Sequence, residues 1–131
     1  MKTIRSLIVL MLLVFSATLS AQEKNKLEQK YEMKTYYLVF LKKGPDRSQD
    51  SVTVQKLQEQ HIAHLEKMAN DGKMDICGPL MDNIDIRGIC IYNVATKEEA
   101  EKLANEDPMV KAGRLMVEVH PFYSAKGVSL K

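Results

Sequence analysis

The chain has 131 residues, enough for one domain, and carries 19 lysines and arginines against 17 acidic residues. Lys2 and Arg5 are the only charged residues among the first 21, so without that segment 17 cations face 17 acids. A chain balanced in this way gives no electrostatic basis for nucleic acid or an anionic membrane as partner, either of which would call for a basic patch.

Residues 1–21 read as a signal peptide. Lys2 and Arg5 precede an apolar run from Leu7 to Leu19, closed by Ser20-Ala21-Gln22. A run of about 13 residues is too short to span a bilayer, which takes about 20. Cleavage is expected after Ala21, or after Ser20, and the absence of a cysteine at the exit argues against a lipid anchor. The remainder would lie in the periplasm or outside the cell, with no membrane association once the segment is removed.

Residues 22–33 are polar and charged with little apolar spacing, and are expected to be a flexible lead-in. Lys34 to Leu41 (KTYYLVFL) is rich in aromatic and branched side chains, as a central strand is. Gly44-Pro45-Asp46 marks a loop. A helix is predicted from Ser51 to Asp71, with Gly72 where a left-handed C-terminal residue is wanted. At 100° per residue Leu57, His61, Leu65 and Met68 share one face, so His61 points inward. Lys73 to Gly78 is the second strand, and residues 79–86 form a loop whose apolar residues suggest that it folds over something.

Arg87 to Val94 is the third strand. Thr96 and Glu99 have capping-box spacing for a second helix, which ends before Asp107-Pro108. A short turn from Pro108 to Ala112 is stopped by Gly113; the last strand is Leu115 to Phe122, and residues 124–131 are a loose tail. The order β-α-β-β-α-β predicts an α+β, ferredoxin-like domain over residues 34–123, a four-stranded antiparallel sheet with both helices on one face. The first strand is apolar on both faces, so the open face needs a cover, and a homodimer is expected.

Cys77 and Cys90 fall nearly opposite each other if their strands form a hairpin about Asn83. They could be bridged, a geometrically demanding cross-strand link, or could be two buried thiols acting as small hydrophobes. Neither CxxC nor a Cys/His cluster suggests zinc, and His61 with His64 lacks a third ligand, so no metal and no cofactor are expected. His64 at the edge of the helix stripe and His120 late in the last strand are expected on the surface.

An inward imidazole needs a partner, because an unpaired buried polar group costs about 1–3 kcal/mol. His61 is therefore either a structural histidine satisfied by backbone or a proton carrier at the floor of a pocket. Asp107 is either the cap of the short turn or the carboxylate that orients His61. In a split βαβ fold both can reach one crevice.

The segments Gln60-His61-Ile62-Ala63-His64-Leu65, Asp71-Gly72-Lys73, Cys77-Gly78-Pro79-Leu80, Glu106 to Gly113 (EDPMVKAG) and Val117 to Phe122 (VEVHPF), in this order and spacing, resemble the YCII-related family. The resemblance runs from about Thr35 to Tyr123. It implies a dimeric α+β barrel and a His/Asp site, with His61 matching the family's first-helix histidine and Asp107 the aspartate of its Asp-Pro segment. It also implies a pocket for a small, aromatic or carbonyl-bearing molecule, in a fold shared with dehydrochlorinases and muconolactone isomerases. The function implied is a lyase or isomerase with His61 and Asp107 in proton transfer and the backbone near Gly78 and Pro79 in substrate binding; a dimeric module that binds a small ligand without chemistry is the alternative. Two departures stand out: the export signal, which moves the substrate to another compartment, and Cys77, where a small residue such as alanine is common.

Overall fold

The computed structural model describes residues 30–128 and 130. The expected signal peptide and most of the expected lead-in lie outside these residues. Residues 35–123 form one compact unit; the described parts of residues 1–34 and 124–131 belong to another, in which Lys126 pairs with Glu32 through both backbone and side chain.

The elements follow in the order β1 (Met33–Lys43), α1 (Ser51–Asn70), β2 (Met74–Pro79), β3 (Ile86–Tyr92), α2 (Lys97–Asn105), α3 (Pro108–Lys111) and β4 (Leu115–Ala125). They make an α+β fold with one four-stranded antiparallel sheet in the order β2-β3-β1-β4. The central strands are β1 and β3, paired antiparallel with Val39 opposite Cys90 and Leu41 opposite Gly88. Residues opposite one another share a face. Val39, Leu41, Cys90 and Tyr92 thus face the helices and are buried with Met68, Ala100, Ala104 and Met109.

Local chemistry sets the helix ends. Asp50 accepts a hydrogen bond from the Thr53 amide at 2.8 Å and starts α1. Gly72, at φ 67°, ends it, with the Lys73 amide bonded back to Met68 O at 2.9 Å. Thr96 caps α2 through the Glu99 amide, and Glu99 also pairs with Lys73 at 2.8 Å, tying α2 to the approach to β2.

Several expectations are corrected. The first strand begins at Met33 and the last runs to Ala125, because nothing between Phe122 and Gly127 breaks it; Gly127, at φ 75°, does. The third strand stops at Tyr92, and the Asn93 amide turns to Lys73 O. In the 79–86 loop Met81 is 93% exposed, while Asp85 O accepts a hydrogen bond from the Lys43 amide at 2.7 Å, which ties the loop to the end of β1. Cys77 and Cys90 are direct partners in the β2–β3 ladder, with Cα atoms 4.0 Å apart, and are bonded as a disulfide. A bulge between Met74 and Ile76 sets that register.

Candidate active site

Asp107 follows the end of α2, where Pro108 forbids continuation of the helix and opens α3. Its Oδ1 accepts a hydrogen bond from the Met109 amide at 2.8 Å. Its Oδ2 lies 2.5 Å from His61 Nδ1. The cap and the histidine contact, open alternatives on sequence, are made at once by the two oxygens of one carboxylate. The pair is buried: Asp107 is 1% exposed and His61 8%.

A carboxylate can only accept here, so the proton sits on Nδ1 and a neutral ring carries its lone pair on Nε2. Among the described residues Nε2 has no hydrogen-bond partner, and it is not sealed from solvent; the one buried, unpaired side-chain atom there is Nε2 of His64. His64 is thus half-buried with its ring nitrogen covered, a correction to its expected surface position. His120 is exposed and bonds Glu118 at 2.7 Å. Among the described residues no three metal-ligating side chains cluster.

His61 borders a cavity of about 400 Å³, a size suited to a small organic molecule. Gly78 and Pro79 form part of its wall, and Asp107 stands behind the imidazole rather than on the surface. Gly88, opposite Pro79, lets the strands close there: a Cβ on it would lie 2.9 Å from Gly78 O. A larger, more open hollow of about 720 Å³ runs along β4 past Glu118 and His120, without either member of the pair.

Three arginines that sequence reasoning passed over, Arg47, Arg87 and Arg114, border the smaller cavity. They lie in loops and at strand ends, where no periodicity singles them out; the only available signal was Arg114 directly after the Gly113 stop. Tyr92 was also missed. It is buried beside the pair, and burial first, then the negative charges of Asp107 and Glu106, pushes its phenol up to about 12. Tyr92 is therefore neutral wherever the protein is folded at ordinary pH.

The YCII-related domain model matches residues 35–123. No curated protein matches the chain in sequence. Among solved structures, the chain resembles the 5-chloro-2-hydroxyhydroquinone dehydrochlorinase of Burkholderia phenoliruptrix AC1100 in complex with 2,5-dihydroxybenzoquinone. The TM-score is 0.49 and the identity 23%, over 65% of this chain and 90% of that one. Because the family match covers the compact unit of residues 35–123 from end to end, the chain belongs to the YCII-related domain family.

Proposed function

We propose that the protein is a small-molecule enzyme of lyase or isomerase type in which His61 moves a proton and Asp107 orients and charge-stabilises it. The observation that carries this reading is the 2.5 Å contact between His61 Nδ1 and Asp107 Oδ2 at the edge of a cavity. A C–H proton next to a substrate carbonyl passes to Nε2, and its electron pair moves into the carbonyl as an enolate. The imidazolium so formed is held by the Asp107 carboxylate. Return of the proton to another carbon completes an isomerisation. Departure of a leaving group with its electron pair completes an elimination, and the proton then leaves Nε2 for water. The wall at Gly78 and Pro79 positions the substrate.

The reading includes export, with loss of residues 1–21, and a homodimer through the open sheet face. Its test is a screen of small carbonyl compounds for product, run with the wild type and His61→Ala. Loss of turnover by about 10²–10⁴-fold in a folded variant is expected, the usual contribution of a proton-transfer residue. A ligand that stabilises the protein without ever giving product would favour a binding module instead.

A further inference from the structure

Arg114 is half-buried immediately before β4. Its Nη1 donates to Gln49 Oε1 at 3.1 Å, and the Gln49 amide donates in turn to Ala112 O at 3.1 Å. Arg47, in the loop before α1, donates through Nη1 to Arg114 O at 3.2 Å. Both border the cavity that His61 borders. Their partners are neutral, and among the described residues neither makes an ion pair. Asp46 is near enough for Arg114 to help hold its carboxyl below the usual range, but the larger causes are its bonds from the Ser48 hydroxyl and amide.

A guanidinium offers five N–H donors in a planar fork that matches a carboxylate, and each of these two has one bond through Nη1. Withdrawing such a cation from water without a counter-charge is costly, so a half-buried arginine held only by an amide side chain is a poor end state for the protein alone. Arg87 and Gln58 also line the cavity, but much of its wall is different in kind: Leu41, Leu65, Met109 and Leu115 present apolar surface. The site therefore combines an apolar wall, a cationic rim and a histidine with one free ring nitrogen.

We infer that the cavity takes a small organic anion, an apolar body bearing a carboxylate, with the carboxylate on Arg114 and Arg47 and the body against the apolar wall beside His61. The assignment deepens the proton-transfer reading and rests on it for the role of the site. It adds the class of substrate: a carboxylate-bearing carbonyl compound rather than a neutral one.

The test uses the purified protein with benzoate, phenylacetate and their primary amides, each titrated while the His61 ring signals are followed by NMR. The carboxylates should shift those signals and bind about tenfold or more tightly than the amides, the difference expected when hydrogen bonds reach a charged group. In Arg114→Gln with a native circular dichroism spectrum, that preference should vanish while amide binding is unchanged; Arg47→Gln should weaken it in part. Added salt should weaken carboxylate binding alone. Equal affinity for acids and amides, an undiminished preference in the folded Arg114→Gln variant, or no response of the His61 ring to any of the four compounds would each overturn the assignment. If the preference holds while His61→Ala still turns substrate over, the proton-transfer reading fails and the anion site stands. If His61→Ala is inactive and the preference is absent, only the anion site fails.

Discussion

Asp107 does two jobs with its two oxygens, and substitutions can separate them. Asn in its place keeps an oxygen for the Met109 amide but loses the charge and brings an amide N–H toward Nδ1 of His61. The ring would then favour the tautomer with its proton on Nε2, which is useless as a base. Asp107→Asn should therefore fold with nearly unchanged denaturant midpoint and lose activity by about 100-fold or more. Asp107→Ala should lose the activity and also about 1 kcal/mol of stability, the usual worth of a helix cap. Equal stability of the two variants would show that the cap contributes nothing. Both residues were legible in the sequence, His61 from its place in an apolar stripe and Asp107 from the proline after it. The bond itself joins residues 46 apart, and the sequence offered it only as one of two alternatives for Asp107 and as an implication of the family resemblance. The arginines were invisible for a related reason: what marks them is the cavity they share.

At the scale of elements, the exit of β1 is laced to the turn between α3 and β4. The Gly44 amide donates to Arg114 O at 2.8 Å, and the Asp46 amide to Gly113 O at 3.0 Å. A Cβ on Gly44 would lie 2.1 Å from Gly113 O and 2.6 Å from Arg114 C. Those atoms are backbone and cannot swing away. Gly44→Ala should thus destabilise the fold by about 1–3 kcal/mol, as overpacking does, and weaken carboxylate binding by moving Arg114; chemical denaturation and the benzoate titration measure the two effects. Unaltered values of both would mean that the turn is free to shift. The sequence identified Gly44 only as part of a loop. Helix ends were easier to read, since Thr96 and Gly72 act on backbone groups within a few residues. Strand ends depend on what lies alongside, which is why β1 and β4 ran past their expected limits.

At the scale of the whole molecule, the sheet face away from the helices is apolar across β1 and β3 and bordered on β4 by Glu118 and His120. Leu38 opposes Ile91 and Phe40 opposes Ile89 across the central strands, and Met116 on β4 is exposed. Phe40 and His120 rings meet at 5.7 Å on that side. The homodimer proposed through this face would cover those apolar side chains, and it predicts a two-chain mass in sedimentation equilibrium that Ile91→Lys reduces to one chain. A wild-type monomer at micromolar concentration would remove the proposal. The alternation that exposes this face was plain in the first strand, so the need for a cover could be read early; the identity of the cover could not. The central claim is that His61 moves a proton within the cavity. The most direct measurement is deuterium wash-in: small carbonyl-bearing carboxylates are incubated with the protein in D2O, and exchange of their C–H protons is followed by NMR. The account predicts enzyme-dependent exchange that falls by about 100-fold or more in a folded His61→Ala variant; exchange at the wild-type rate in that variant would contradict it.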